Sequence, residues 1–146
     1  MAYDLYLKAR ERWHSRTPRG LVEALGHLNR AIERDRTYAR AYAAVADVYN
    51  VLGAYDYGVR RPTAVYPMAE QAARRALALD PGLPEAHAAL GVTLFNFHWD
   101  HDGAEEELLR AISLNPGDVM AHHWYSLVLR TAGRPEAAMA EIRIAR

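Results

Sequence analysis

Residues 104–111, AEEELLRA, decide the fold of this chain, because their first and last alanines form a pair that recurs through the sequence. Ala104 and Ala111 are seven residues apart, and the same spacing returns in Ala24 and Ala31, in Ala69 and Ala76, and in Ala138 and Ala145. Seven residues are close to two turns of an α-helix, so both alanines of a pair lie on one face. Small side chains on that face let a second helix approach closely. The sequence therefore predicts four copies of one helix.

The intervals between the copies separate constant parts of the chain from variable ones. Measured between first alanines, successive copies follow at intervals of 45, 35 and 34. Ala46, Gly91 and Ser126 each follow the second alanine of a pair at the same interval, which is 15. From these three positions to the next copy the intervals are 23, 13 and 12. The connection from one repeat to the next therefore has a constant length, and the insertions fall within repeats.

Apolar residues and turn residues predict where the helices begin and end. Tyr42, Val45 and Tyr49 follow the i, i+3, i+7 spacing of one helical face. The turns at 80–82 (DPG) and 115–117 (NPG) end helices, because proline and glycine interrupt helical structure. We expect eight helices, at 3–15, 19–34, 39–53, 63–79, 84–97, 103–114, 119–132 and 135–146.

Two helix starts carry more specific expectations. Asp102 has the capping-box spacing to Glu105, which predicts that Asp102 caps the helix from 103. Pro67 is compatible with a helix if that helix begins near Ala64, because an N–H in the first turn has no intrahelical partner to lose.

The intervals of 35 and 34 resemble the period of tetratricopeptide (TPR) repeats. The residues that match the family's pattern are Tyr42, Val45, Ala46 and Tyr49 in the second repeat, and Leu90, Gly91, Ala104, Leu108, Ala111 and Pro116 in the third. The resemblance implies an all-α fold in which about four helical hairpins stack into a right-handed superhelix. It covers nearly the whole chain, so we expect a single domain, 1–146, with repeats at about 3–38, 39–83, 84–118 and 119–146, the last one truncated.

Three short segments, at 2–7 (AYDLYL), 99–105 (WDHDGAE) and 121–125 (AHHWY), are similar to the C-terminal repeat regions of bacterial signalling proteins. In those proteins the repeats follow a winged-helix DNA-binding domain, a nucleotide cyclase domain or a Ser/Thr kinase domain. Arg146 follows Ala145 inside a helical pattern with no stop signal, which is typical of a piece of a longer protein. The resemblance implies an interaction or sensory module of a larger bacterial regulator.

The composition excludes several classes of function. The chain has no cysteine, which excludes disulfides, thiolate catalysis and cysteine zinc sites. The longest segment without Asp, Glu, Lys or Arg, 86–99, is too short and too polar to cross a bilayer. No phosphate loop, dinucleotide glycine pattern or nucleophile elbow occurs. We therefore expect no enzyme, no cofactor and no membrane partner, and a cytoplasmic location, or a periplasmic one if the parent protein has a membrane segment.

Eight arginines between Arg10 and Arg40 make the first repeat basic, although the whole chain has a formal net charge of +0. A nucleic-acid surface would place such arginines on phosphates. Here acidic residues such as Glu23 and Glu33 interrupt the arginines, which favours a solvated face. We expect no nucleic-acid partner.

Two alternative functions depend on particular residues. His98 and His101 lie three residues apart and could bind a divalent metal, although the simpler interpretation is a loop in which Trp99 packs inward. The last helix has no helix beyond it, so Ile142 and Ala145 could form the contact of a homodimer.

The resemblance implies that the first helices of the repeats line a concave groove for a protein or peptide partner. The residues placed in this groove are Arg40, Ala44, Asp47, Asn50, Val51, Ala88, Val92, Phe95, Asn96, His123, Trp124, Leu127 and Arg130. Ala43, Asp47, Ala88 and Val92 depart from the Lys, Asn and Arg pattern of repeats that grip a C-terminal carboxylate, which disfavours such a clamp. The surface is mostly apolar, so Phe95 and Trp124 are the expected anchors, unless neighbouring helices cover them.

Overall fold

The structure is a computed structural model that describes residues 2–14, 17–54 and 62–133. These residues form seven α-helices and no strand: α1 (Ala2–His14), α2 (Pro18–Arg34), α3 (Ala39–Ala54), α4 (Pro62–Leu79), α5 (Pro84–Asn96), α6 (His101–Leu114) and α7 (Val119–Thr131). The expected eighth helix, 135–146, and residues 55–61 between α3 and α4 lie outside the described residues. Within the described ranges, no helix has the length and apolar character that a membrane span requires.

The helices pack in the order in which they occur. α1 with α2, α3 with α4 and α5 with α6 form hairpins, and each second helix also contacts the first helix that follows it. First helices contact one another directly, α3 with α5 and α5 with α7. The architecture is an all-α helical-hairpin solenoid, as the sequence predicted.

The small-residue positions lie at the helix contacts, as predicted. Ala24, Ala69 and Ala104 are completely buried, and so are the partners Ala31, Ala76 and Ala111. Gly91 shows how little room these contacts leave. A Cβ atom added there would lie 2.8 Å from Leu108 Cγ and 3.3 Å from the Ala104 carbonyl oxygen. The fourth pair, Ala138 and Ala145, lies outside the described residues.

The three connections between repeats, which we call joints (35–38, 80–83 and 115–118), share the same backbone hydrogen bonds. In each joint the first residue donates its N–H to the second alanine of the preceding pair: Asp35 to Ala31 at 2.9 Å, Asp80 to Ala76 at 2.8 Å, and Asn115 to Ala111 at 2.8 Å. The last residue then donates back to the first, with Tyr38, Leu83 and Asp118 as donors at 3.1–3.2 Å. The polar backbone of each joint is thus satisfied in one geometry.

A side chain from the following first helix completes each joint. Tyr42 donates its hydroxyl to the Arg36 carbonyl at 3.3 Å, and His87 Nε2 lies 2.7 Å from the Pro81 carbonyl oxygen. His122 Nε2 lies 2.9 Å from the Pro116 carbonyl oxygen. A carbonyl only accepts, so the imidazole nitrogens are the donors. This joint hydrogen bond spans six residues in all three cases and requires a joint of fixed length, which explains the constant interval between the repeats.

Two predicted helix starts are wrong. α6 begins at His101, because Asp100 rather than Asp102 is the N-cap, and its Oδ1 accepts from the Gly103 N–H at 2.9 Å. α4 begins at Pro62, whose fixed φ suits the first helical position. Pro67 therefore lies beyond the first turn, inside the helix, where it removes one intrahelical hydrogen bond.

Candidate functional site

We call the exposed sides of the first helices α1, α3, α5 and α7 the first-helix face. A depression of about 250 Å³ lies at its α1 end. The residues that line this depression come from three helices and are Tyr6, Arg10, Arg40, Ala44, Asp47 and Glu85. At this end the face carries two positive and two negative side chains, unlike the mostly apolar surface that the sequence predicted.

The charges in the depression lie close to one another and to a buried phenol. Arg40 Nε lies 3.7 Å from Glu85 Oε2, which joins the second repeat to the third. Tyr6 is only 9% exposed, and burial raises the pKa of its phenol. Among the four charged residues, Arg10 has the largest effect on this pKa and lowers it, and Glu85 acts in the opposite direction. The depression is therefore polar and has no large excess of either charge.

Tyr6 and Arg10 were not among the predicted site residues, because α1 lacks a clean repeat signature. The sequence contains one signal that could have placed these two residues. Ala9 is 1% exposed and stands seven residues after Ala2, the start of α1. Ala46 likewise stands seven residues after Ala39, the start of α3. Taking Ala9 as the small residue of the first repeat aligns Tyr6 with Ala43 and Arg10 with Asp47.

In the middle of the face, two predicted site residues are buried between α3 and α5. Asn50 is 5% exposed, and its Nδ2 donates to the Ala89 carbonyl at 3.0 Å. Thr93 donates its hydroxyl to Asn50 Oδ1 at 2.8 Å. Val92 is 6% exposed beside them. The Asn50 side chain therefore joins the two first helices instead of pointing into a groove.

The other predicted residues differ in exposure. Arg40, His123 and Arg130 are exposed, Ala44 is buried at the floor of the depression, and Asp47, Val51, Ala88, Asn96 and Leu127 are partly buried. Phe95 and Trp124 are also partly buried, packed on one side against a core cluster that includes Leu108 and Val128. Their other edges remain available at the surface.

An aromatic cluster occupies the α7 end of the first-helix face. The Phe95 ring lies 6.5 Å from Trp124, 6.1 Å from Trp99 and 5.5 Å from His101, measured between ring centroids. The rings of His123 and Trp124 are 6.1 Å apart. All four of these contacts are tilted or edge-to-face, and aromatic rings prefer edge-to-face over stacked face-to-face arrangements. We call these five residues the aromatic cluster.

Trp99 is the exposed member of this cluster. It is 68% exposed, more than any other large apolar side chain of the described residues, so it does not pack inward as the loop interpretation expected. Its φ is +53°, a left-handed conformation that is rare for a bulky residue. Two hydrogen bonds hold the peptide group between Trp99 and Asp100: His101 Nδ1 donates to the Trp99 carbonyl at 3.1 Å, and the Asp100 N–H donates to the Leu94 carbonyl at 3.0 Å.

The two histidines of the metal alternative have separate partners. His98 Nε2 lies 2.6 Å from Glu70 Oε1 on α4, whereas His101 binds the Trp99 carbonyl. Among residues 2–14, 17–54 and 62–133, no group of three or more His, Cys, Asp or Glu side chains could hold a metal ion. The described side chains therefore offer no assembled ligand set. Ile142 and Ala145, the basis of the predicted homodimer, lie outside the described residues, so that contact stays a prediction.

No protein-family model and no curated protein matches this sequence. Solved structures match its fold. TTC0263, a thermophilic TPR protein of Thermus thermophilus, has a TM-score of 0.82 at 20% identity, and the match covers 99% of this chain and 72% of that chain. YrrB, a TPR protein with an unusual peptide-binding site, has a TM-score of 0.65 at 22% identity over 99% of this chain and 67% of that chain.

A third match is the first TPR of Spaghetti (RPAP3), solved with the HSP90 peptide SRMEEVD. Its TM-score is 0.69 at 16% identity, and it covers 90% of this chain and 93% of that chain. Identities this low establish the fold alone. The chain therefore has the fold of tetratricopeptide-repeat proteins, an architecture of stacked helical hairpins.

Proposed function

We propose that this chain is a non-enzymatic interaction scaffold that binds a segment of a partner protein on the first-helix face. The observation that carries the proposal is the exposure of Trp99 beside the partly buried rings of Phe95 and Trp124. Tryptophan is enriched among the residues that contribute most to protein interfaces, since it combines a large apolar surface with few rotatable bonds. An isolated chain gains nothing from holding this side chain in water.

The backbone of Trp99 supports the same proposal. A left-handed conformation costs a non-glycine residue about 1–3 kcal/mol, and such strain is concentrated at functional sites. Here the strained residue also has the most exposed large apolar side chain of the described residues, and two hydrogen bonds hold the peptide group that follows it. A backbone segment that is held in place before binding loses less entropy when a partner covers it.

The two ends of the face indicate the chemistry of the partner segment. The aromatic cluster suits apolar or aromatic anchors, whereas the depression between α1, α3 and α5 suits charged or polar side chains. The partner proposed here is therefore an extended or helical peptide that is apolar at one end and polar at the other. Peptide binding by YrrB and by the first TPR of RPAP3 gives a precedent in this fold and no more.

The test starts from a library of random linear dodecapeptides displayed on phage and selected against the purified chain. A selected peptide, made synthetically, is then titrated against the wild type, Trp99→Ala and Leu109→Ala. Leu109 is the matched control, since it is an exposed apolar residue (44%) on a second helix, α6. Trp99→Ala should weaken binding by roughly thirtyfold, as expected for an interface residue worth about 2 kcal/mol, and Leu109→Ala should not. Equal affinities for all three proteins, or no selected peptide, would overturn the proposal.

We also infer that the chain is the interaction module of a larger bacterial regulator in the cytoplasm. The support is the similarity of 99–105 to the repeat regions of bacterial signalling proteins, because this segment contains Trp99 and the Asp100 cap. Sequencing the reading frame on both sides of the encoding segment tests this inference. A winged-helix, cyclase or kinase domain in the same frame supports it, and a frame that encodes only helical repeats contradicts it.

A further inference from the structure

A second concave feature lies on the opposite side of α3 from the first-helix face. It is a cleft of about 390 Å³ between α2 and α4, and α3 forms its floor. Its lining residues are Asn29, Ile32, Tyr42, Val45, Tyr49, Met68, Gln71, Ala72 and Arg75. On α3, Tyr42 and Val45 precede Ala44 and Asp47 of the depression by two residues, a rotation of about 200°. The cleft is thus separate from the surface of the proposed function and does not depend on it.

The neighbouring repeat shows what fills the equivalent place. In the repeat register, Tyr42 on α3 corresponds to His87 on α5, and Ala72 on α4 corresponds to Glu107 on α6. His87 Nδ1 lies 2.7 Å from Glu107 Oε2, and both side chains are at least three-quarters buried. A carboxylate of the chain itself therefore occupies the position between α5 and α6. In the cleft, the corresponding residue is Ala72, which has no carboxylate.

A basic group is present in the cleft. The guanidinium of Arg75 lies 5.9 Å from the centroid of the Tyr42 ring, close enough for a cation–π contact. Arg75 is exposed, and no Asp or Glu among the described residues pairs with it. The next arginine, Arg74, differs in this respect, because Glu70 Oε2 lies 3.7 Å from its Nε. Arg75 is the only charged residue among the described residues that line the cleft.

The rest of the lining is suited to an apolar group. Ile32, Val45 and Tyr49 form an aliphatic and aromatic floor, and Met68 on α4 is 42% exposed. Methionine adapts its shape to different partners. Asn29 and Gln71 are exposed carboxamides that can bind a peptide backbone at the rim. The volume lies within the range of small-ligand and peptide side-chain pockets.

We propose that the cleft between α2 and α4 is a second docking site, for a peptide segment that presents an aliphatic or aromatic side chain next to a carboxylate. The carboxylate lies beside Ala72, where the next repeat has Glu107, and binds the neighbouring Arg75. The apolar side chain lies on Ile32, Val45 and Tyr49. A partner bound here and a partner bound on the first-helix face would occupy opposite sides of the solenoid.

The test uses two capped dipeptides as probes, acetyl-leucyl-glutamyl amide and the uncharged acetyl-leucyl-glutaminyl amide. Each is titrated to millimolar concentration into the isotope-labelled chain at low ionic strength, and backbone amide shifts are followed by NMR. The glutamyl probe should shift Ile32, Val45 and Ala72 in a saturable manner, about fivefold more tightly than the glutaminyl probe, as an exposed ion pair allows. Shifts that do not saturate, or that centre on Trp124, would overturn the proposal.

Three variants sharpen the result. Arg75→Gln removes the charge and should abolish the difference between the probes, whereas the matched control Arg74→Gln should preserve it. Ala72→Glu supplies the carboxylate of the neighbouring repeat and should prevent binding of the glutamyl probe. If Ala72→Glu does not fold, the relative affinity of Arg75→Gln for the two probes still tests the proposal. An unchanged preference for the glutamyl probe in Arg75→Gln contradicts the proposal, and Trp99→Ala should leave the preference intact, which separates this site from the first.

Discussion

The joints between repeats and the turn between α5 and α6 connect helices in opposite ways. Each joint has the same backbone bonds and the same side-chain bond from Tyr42, His87 or His122. The turn at 97–100 has a left-handed residue and an exposed tryptophan, neither of which occurs in a joint. The joints set the distance between repeats, and any change in them would alter the whole stack. The turn lies inside one repeat, so its conformation can vary and can present a side chain to a partner.

The largest expected effect tests the packing on which the joints depend. Ala104→Leu places an isobutyl group where the alanine is completely buried against α5, so the helices must separate. We expect a loss of about 1–3 kcal/mol in the free energy of unfolding, measured by urea denaturation. Leu109→Ala, on the exposed side of the same helix, is the control and should change little. An unchanged midpoint for Ala104→Leu would contradict the assignment of the paired alanines to the helix contacts.

A smaller effect tests the joint hydrogen bond itself. His122→Ala removes a side chain that is 5% exposed and that donates to the Pro116 carbonyl, so we expect a loss of about 1–2 kcal/mol. His123→Ala, one residue further along and exposed, should be within about 0.5 kcal/mol of the wild type. Thermal and urea unfolding of the pair measure the difference. Equal stabilities would show that the joints are held by their backbone bonds alone.

The third prediction concerns stability at Trp99, whose left-handed backbone in the turn at 97–100 favours glycine over alanine. At a φ of +53°, alanine is strained and glycine is not, so Trp99→Gly should be more stable than Trp99→Ala by about 1 kcal/mol. In a helix or strand the order would be reversed. Both variants should lose partner binding to a similar extent. If alanine proves the more stable of the two, the backbone of the turn is not left-handed in solution.

The smallest effect concerns pH and a histidine outside the joints. Burial lowers the pKa of His27. The charges of Arg30, Lys8 and Arg12 lower this pKa further, whereas the charge of Glu23 raises it. Its buried Nδ1 has no hydrogen-bond partner among the described residues. Because the folded pKa lies below the unfolded value of about 6.5, its contribution to stability is complete above that pH and is lost as the pH falls through the folded pKa. Between pH 7.5 and pH 5.5, the melting temperature should therefore fall less for His27→Asn than for the wild type. An equal fall in both proteins would assign the pH dependence of stability to other groups.

The fold was predictable from particular residues. The alanine pairs and the constant interval between repeats are local consequences of helix packing, and they placed the helices of the segment 17–131 with only small errors at their ends. The helix start at His101 was not predictable, because Asp100 and Asp102 have equal chemical ability to cap and only the course of the chain after Phe97 decides between them. The joint hydrogen bonds were missed for a related reason. Tyr42, His87 and His122 share a position but not a residue type.

The candidate site was less predictable than the fold. Family positions placed Arg40, Phe95 and Trp124 at the surface of first helices, but they also placed Asn50 and Val92 there, which are buried between α3 and α5. Position in a repeat gives the side of a helix from which a residue projects. It does not give the distance to the next helix, on which burial depends.

The sequence by itself determined the class of architecture, the number of residues in each joint and the small residues at the helix contacts, since each depends on spacing along one chain. The tertiary structure alone decided which side chains face water. Trp99 is exposed because its turn adopts a left-handed backbone, and Tyr6 and Arg10 meet Asp47 and Glu85 because three helices converge. The described lining of the cleft between α2 and α4 contains no carboxylate, because Ala72 stands where the next repeat has Glu107. These outcomes depend on distances between residues that are far apart in sequence, and periodicity carries no information about those distances.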